Sequence, residues 1–184
     1  MIVLIVLLAL IGLALLFGVV IYNQLVRLKN MVAEGWSGID VQLKKRTNLI
    51  PNLVETVKGY MGHERELLEK VTELRSKSMR TTDPAKKAEV EGALTRSLAR
   101  IFAVAEQYPD LKASQNFLDL QGQLAEIEND IEMARRYYNG TVRNLNIKVE
   151  SFPSNFIAGM FQFTQAEFFE IEDQKDRQTP QVRF

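Results

Sequence analysis

The sequence has no cysteine, a single histidine and no excess of either sign of charge. Without cysteine the chain cannot form a disulfide, a thiolate metal site or a thiol nucleophile. His63 alone cannot supply the several histidines that zinc and di-iron sites require. The 23 basic and 23 acidic side chains cancel, whereas a general nucleic-acid-binding protein carries a basic excess. The composition therefore predicts no cofactor, no metal and no nucleic-acid partner.

Charge is also absent from the first 22 residues of the chain. As a helix with a rise of about 1.5 Å per residue, this stretch spans roughly 33 Å and matches a bilayer core of about 30 Å. A cleaved signal peptide would have a basic start, a shorter apolar stretch and small residues before the cut, and the sequence has none of these. We therefore predict a transmembrane anchor over residues 1–22. Within it, Ala14 and Gly18 have the small-xxx-small spacing that lets two membrane helices pack closely.

The orientation of the anchor follows from the basic side chains near it. None precedes the apolar stretch, and Arg27, Lys29, Lys44, Lys45 and Arg46 follow it. The positive-inside rule then places the soluble part in the cytoplasm and the N-terminus outside. The opposite orientation stays open, because the last three of these side chains lie at the limit of the rule's reach.

Beyond residue 22, apolar residues recur at steps of three and four, which is the pattern of amphipathic helices. The first stripe runs from Leu25 to Val71, so we predict that the anchor continues as one helix to about Lys77. Pro51 falls within this helix and is expected to kink it, because proline removes one backbone donor and crowds the preceding turn.

Two further long helices are predicted. Asp83 can cap a helix whose first residue is Pro84, and this helix ends before Pro109. The third stripe covers residues 117–152, where a proline stops it. Three long helices with short connections favour an antiparallel bundle, so the predicted fold class is all-α.

The remainder of the chain changes character. Residues 154–161 are predicted to form a short C-terminal helix that is apolar almost all round. The predicted bundle then covers residues 23–163, and residues 164–184 form a tail that ends in a Pro-x-Val-x-Phe motif.

Seven of the ten phenylalanines lie from residue 152 onward. One interpretation is that they cover the open end of the bundle. The other is a docking surface for a neighbouring subunit or for the membrane interface, and the terminal motif suits strand addition or capture in a pocket. The candidate interaction residues are Phe156, Phe161, Phe163, Phe168, Phe169, Val182 and Phe184.

Eight short segments of the chain form a recognisable set of motifs. They are Tyr22-Asn23-x-Leu25-Val26, Trp36-Ser37-x-Ile39-Asp40-Val41-Gln42-Leu43, Leu49-Ile50-Pro51-Asn52-Leu53-Val54, Val57-Lys58-Gly59-Tyr60, Ala103-Val104-Ala105-Glu106-x-Tyr108-Pro109-x-Leu111-Lys112-Ala113, Ala134-Arg135-x-Tyr137-Tyr138-Asn139, Phe152-Pro153-Ser154-Asn155 and Pro180-x-Val182-x-Phe184. With these motifs the chain resembles the LemA family of bacterial membrane proteins over nearly its whole length. The resemblance implies a single-pass protein of the cytoplasmic (inner) membrane, with its N-terminus outside and a helical bundle in the cytoplasm. It implies no established biochemical activity.

No set of residues in the sequence is typical of an enzyme. His63-Glu64 resembles the start of a zincin motif, but Leu67 stands where the second histidine would be required. A glycine-rich phosphate loop is absent, and no nucleophile is accompanied by a base. We therefore predict a protein that is not an enzyme and has no small-molecule substrate.

The sequence favours a membrane-anchored helical scaffold that self-associates and organises or remodels the inner membrane. The heptad-like stripe over residues 117–138 would supply a seam between copies, and the anchor would concentrate them in two dimensions. The expected partners are further copies of the chain and membrane lipid. The alternative is an adaptor that binds another membrane protein, such as a protease or a sensor, through its aromatic C-terminal region.

Overall fold

A computed structural model describes residues 1–170 of the chain, and these residues form six α-helices and no strand. The arrangement confirms the predicted all-α fold, in which a long apolar N-terminal helix is followed by a helical bundle. The helices are α1 (Ile2–Lys58), α2 (Arg65–Arg80), α3 (Pro84–Ala105), α4 (Pro109–Lys112), α5 (Gln115–Glu150) and α6 (Ser154–Met160).

The predicted first helix is divided in two, so its expected extension to Lys77 is wrong. α1 passes through Pro51 and ends at Lys58, and α2 begins only at Arg65. The connection contains Gly59 and Gly62, and glycine costs about 1 kcal/mol relative to alanine inside a helix. α2 then runs back along α1. The apolar spacing continues across this turn, and for that reason the pattern resembled one helix.

The other predicted helices are confirmed, although α3 and α5 end at Ala105 and Glu150, a few residues before the predicted limits. The Asp83 carboxylate accepts a hydrogen bond from the backbone N–H of Lys86 at 2.9 Å, and Pro84 is the first residue of α3. α5 covers the third predicted helix, and α6 covers the predicted short helix near the C-terminus.

The chain divides into two compact units. The first unit comprises residues 1–39 and 133–168, and the second comprises residues 40–132 together with residues 169 and 170. The core of the second unit is formed by apolar side chains of α1, α2, α3 and α5, with Leu111 of α4 among them. In this core α2 packs antiparallel to the last part of α1. The Arg75 Nε–H of α2 donates to the backbone carbonyl of Thr47 in α1 at 2.7 Å.

The first unit is built from the beginning of α1, the end of α5, α6 and the extended residues that follow α6. Its buried core consists of Ile21, Leu25, Leu145 and Ala158. Further along α1, a Cβ atom on Gly35 would lie 3.1 Å from the Cα atom of Tyr138. The two helix backbones therefore approach so closely that only glycine fits at this position without a shift.

Candidate functional site

The apolar start of α1 is not covered by the rest of the chain. Among residues 1–170, α1 alone carries a stretch long and apolar enough to cross a membrane, and none of that stretch is buried. Its large side chains from Ile2 to Phe17 are mostly exposed. An exposed apolar surface of this length is unfavourable in water. The stretch is therefore a candidate for contact with a membrane.

α6 packs beside the last turns of this apolar stretch. The Cδ1 atom of Ile157 lies 3.7 Å from the position that a Cβ atom on Gly18 would occupy. The Tyr22 ring lies 4.7 Å from the Phe161 ring and 5.8 Å from the Phe163 ring, measured between centroids. Gly18 has no side chain and leaves room for Ile157, and the Tyr22 ring packs against Phe161, so these two residues of α1 position α6.

Large apolar side chains within α6 and at its two ends are exposed. The exposed fractions are 78% for Phe152, 67% for Phe156, 73% for Met160 and 53% for Phe161. We call these four residues the α6 surface. Residues 151–166 contain no acidic or basic side chain, so the α6 surface lies in an uncharged segment. An apolar patch of this kind on a protein marks a contact with protein or with lipid.

Hydrogen bonds fix the segments on both sides of α6. The Ser154 hydroxyl donates to the carbonyl oxygens of Lys148 at 2.6 Å and of Ser151 at 2.8 Å. After α6, the Asn146 side-chain amide both donates to the carbonyl of Ala166 at 3.0 Å and accepts from its N–H at 2.8 Å. The α6 surface is therefore held rigidly and does not hang on a free loop.

Tyr138 adds a third attachment to the segment after α6. Its hydroxyl donates to the backbone carbonyl of Glu167 at 2.8 Å. Burial raises the pKa of Tyr138 above its usual value, and the negative charge of Glu167 raises that pKa further. The ring also packs against Trp36, with centroids 5.7 Å apart.

The predicted interaction residues lie in different environments. Phe156 and Phe161 belong to the α6 surface, whereas Phe163 is half-buried against Tyr22. Phe168 is exposed and Phe169 is fully buried. The two remaining predicted residues, Val182 and Phe184, lie outside the described residues. In the anchor, Ala14 is exposed and Gly18 is half-buried beside Ile157 of the same chain.

The apolar stripe expected to form a seam between copies is buried within its own chain. Its buried members are Phe117, Leu120, Leu124, Ile131 and Tyr138. These side chains already have packing partners, so the stripe offers no exposed seam to a second copy.

A different face of α5 remains exposed in the first unit. Met133, Tyr137 and Ile147 are exposed, although one edge of the Tyr137 ring lies beside Gly35 of α1. Gly140 and Asn144 follow Tyr137 along α5 at steps of three and four residues. A Cβ atom added to Gly140 would meet nothing within 4 Å. We call these five residues the outer α5 stripe, and its spacing is typical of a helix that packs against another helix.

The core of the second unit holds a cluster of charged side chains. Arg46 forms ion pairs with both Glu91 and Glu128, and it also donates to the Thr95 hydroxyl at 2.7 Å. The Ser78 hydroxyl donates to the same Glu91 carboxylate. The ion pairs and hydrogen bonds of these groups join α1, α2, α3 and α5.

Sequence reasoning missed this cluster, although the pattern contained a signal. Arg46 lies three residues after Leu43 and four before Ile50, so it occupies a position of the apolar stripe. A charged residue at such a position is buried and therefore needs a partner of opposite charge. No group of three or more acidic, histidine or cysteine side chains within residues 1–170 is arranged to hold a metal ion.

Comparison with known proteins places these features in a family. The sequence model of the LemA family matches residues 35–184. Protein LemA of Metamycoplasma hominis is 28% identical over 152 residues, which cover 82% of this chain and 69% of that protein. Magnetosome protein MamQ 2 of Paramagnetospirillum magneticum is 23% identical over 189 aligned positions, which cover 88% of this chain and 70% of that protein. Magnetosome protein MamQ of Magnetospirillum gryphiswaldense is 21% identical with the same coverage.

None of these relatives is named for a chemical reaction. The family match and the uncovered apolar stretch of α1 together indicate a membrane-associated protein. Since the family model covers most of the chain, this protein belongs to the LemA family.

Proposed function

We propose that this protein is a non-enzymatic, membrane-anchored helical scaffold that self-associates and organises or remodels the bacterial inner membrane. In this proposal residues 1–22 cross the membrane with the N-terminus outside, and the helical body lies in the cytoplasm. The observation that carries the proposal is the continuity of α1: the apolar stretch and the residues that pack in the core of the first unit belong to one uninterrupted helix. A rigid attachment of this kind suits a protein that acts on the membrane mechanically.

The outer α5 stripe supports the self-association part of the proposal. It is the exposed face of a long helix, and Met133, Tyr137 and Ile147 give it large apolar side chains that water solvates poorly. Gly140 leaves room for a neighbouring helix to approach. Anchored copies meet at a high effective concentration, so a contact of modest affinity is enough to assemble them.

The relatives support a structural role in a second way. The MamQ proteins are named for the magnetosome, which is a cellular structure, and the names of the relatives describe no substrate. A scaffold acts through exposed surfaces, such as the α6 surface and the outer α5 stripe.

Substitution of Met133 by glutamate tests the proposed contact between copies. Full-length protein in mild detergent is expected to form a defined oligomer, and Met133→Glu is expected to weaken its assembly about tenfold to hundredfold. The reason is that burying a methionine contributes about 1.5–3 kcal/mol, which a charged side chain loses. The measurement is the particle mass across a protein dilution series, by light scattering or mass photometry.

Arg143→Glu is the matched control, because Arg143 is an exposed residue of α5 outside the outer α5 stripe. Circular dichroism must show the same helix content for both variants. A monomeric wild-type protein at micromolar concentration would contradict self-association, and equal masses for Met133→Glu and wild type would contradict this contact.

An adaptor for another membrane protein is the second candidate function. The exposed side chains of Phe156, Phe161 and Phe168 favour it, because a partner could cover them. An adaptor would purify as a small species with one partner in fixed stoichiometry. A large particle made of this chain alone would favour the scaffold.

A further inference from the structure

We propose that the α6 surface inserts into the membrane, so that residues 152–161 form an interfacial wedge beside the transmembrane span. The occupant of this surface is the lipid of the leaflet into which the end of the span near Tyr22 projects. The proposal rests on the proposed function only in taking residues 1–22 as a membrane span. It does not depend on self-association.

The contacts of α6 set its depth in the membrane. Ile157 packs at Gly18, which lies four residues and therefore about 6 Å before the end of the predicted span. Tyr22 stacks on Phe161 at that end of the span. Tyrosine rings in membrane proteins prefer the level of the lipid headgroups. α6 therefore lies at the boundary between headgroups and acyl chains.

The chemistry of the segment suits this level of the membrane. The 16 residues from 151 to 166 carry no formal charge, and the nearest charged residues on either side are Glu150 and Glu167. Phe152, Phe156 and Met160 are each more than half exposed to their surroundings. Helices that lie in the membrane interface bury such a face about 5–10 Å into the boundary between headgroups and acyl chains.

Lipid is favoured over a second copy of the chain because the two exposed surfaces are continuous. The apolar stretch of α1 is uncovered up to the turn against which α6 packs. Lipid that surrounds the exposed Phe17 therefore borders the turn of α1 at Gly18, on which Ile157 of α6 packs. A protein partner at the same place would first have to displace that lipid.

The wedge has a mechanical consequence for one leaflet. Hydrogen bonds of Ser154 and Asn146 hold the backbone at the start of α6 and after it, so the exposed aromatic side chains stay beside the span. Their volume is added to the leaflet at the end of the span near Tyr22 and not to the other leaflet. Such one-sided insertion favours curvature and is sensitive to it. The α6 surface thereby gives the proposed scaffold a means of bending the membrane.

Tryptophan fluorescence in brominated lipid tests the insertion directly. Trp36 is the only tryptophan, so Trp36→Phe provides a dark background in the full-length protein. Phe156→Trp is added to this background, and the protein is reconstituted into phosphatidylcholine–phosphatidylglycerol vesicles with or without bromine on the acyl chains. Bromine quenches only tryptophans that contact it, so the loss of emission reports lipid contact.

Two matched positions calibrate the measurement. Leu13→Trp lies in the exposed middle of the apolar stretch and should be quenched in any properly inserted protein. Met133→Trp is exposed in the same unit but far from the span. Along α5, Leu145 packs near Ile21 at the end of the span, and Tyr138 packs near Gly35, which is further from the span. Met133 lies beyond Tyr138 in the same direction. Its emission should not depend on bromine, even if a second copy covers it.

Phe156→Trp is expected to emit at short wavelength and to lose most of its emission in brominated vesicles. An unquenched signal at short wavelength would mean that protein covers the α6 surface, and an unquenched signal at long wavelength would mean that water does. Either result overturns the proposal. Met160→Trp repeats the test if Phe156→Trp fails to fold. An unquenched Leu13→Trp would instead refute the membrane span, and with it the proposed function.

Discussion

Replacement of Arg46 by methionine is expected to destabilise the second unit strongly. Arg46 is 1% exposed and supplies the positive charge that Glu91 and Glu128 share. Methionine keeps much of the hydrocarbon stem of arginine and removes the guanidinium, so the packing changes little. The effect of the substitution therefore measures what the charge contributes.

The magnitude follows from the burial of the two carboxylates. The Glu91 side chain is 2% exposed and would keep only the hydrogen bond from Ser78, whereas the Glu128 side chain is 33% exposed and can turn to water. Removing one partner of a buried ion pair costs about 3–5 kcal/mol, and we assign most of this cost to Glu91. Since whole domains are stable by about 5–15 kcal/mol, the loss is a large part of the total.

The assay is thermal unfolding of the full-length protein in mild detergent, followed by circular dichroism and by hydrogen exchange in α2 and α3. The expected decrease in melting temperature is roughly 12 °C or more. Glu73→Gln is the control, because Glu73 pairs with Lys70 and Lys77 on the exposed surface, where water screens the charges and the change should be small.

A triple variant separates the charge from the packing. Arg46→Met combined with Glu91→Leu and Glu128→Leu removes every charge of the cluster, and such replacements are often neutral or stabilising by about 1–4 kcal/mol. The reasoning is refuted if Arg46→Met melts within about 2 °C of the wild-type protein. It is equally refuted if the triple variant is less stable than Arg46→Met alone.

Two further predictions concern the first unit. Gly35→Ala should lower the free energy of unfolding by about 1–3 kcal/mol through the clash with the Tyr138 backbone, offset by about 1 kcal/mol of improved helix propensity. Gly38→Ala has free space at its Cβ position and should only increase stability. Thermal melting of both variants measures the difference. Because the pKa of Tyr138 is raised in the folded state, its bond to Glu167 should persist below about pH 10 and be lost as pH rises through the raised value. Hydrogen exchange of residues 164–168 against pH, with Tyr138→Phe as the control, measures the loss.

Local signals predict a helix boundary well where a residue type strongly prefers one position of a helix. Asp83 before Pro84 predicts the start of α3. The carboxylate accepts a hydrogen bond from a backbone N–H of the first turn, and proline suits the first helical position because it has no N–H that needs a partner there. The break between α1 and α2 was missed, since Met61 continues the apolar spacing across the turn and is itself buried. There the only signal was the pair Gly59 and Gly62, which the periodicity outweighed.

The candidate site was harder to predict because periodicity shows that a face is buried but not what buries it. The spacing of Leu124 and Ile131 predicts a seam between copies, but both side chains are buried within their own chain. In the same way, the phenylalanines near the C-terminus were recognised as a group, but only the folded structure places Phe161 against Tyr22 and leaves Phe156 exposed. Such contacts join residues more than 130 positions apart, which no local pattern records.

In the proposed membrane-anchored state, the continuity of α1 also fixes a direction in the plane of the membrane. Residues 2–39 form one helix within the first unit, and Ile157 is seated on a single side of it at Gly18. If the span rotates about its own axis, the α6 surface rotates around that axis with it. Each anchored copy then has a front, where α6 lies, and a back. Copies that join side by side through one repeated contact would point all their fronts the same way relative to the row or ring they form.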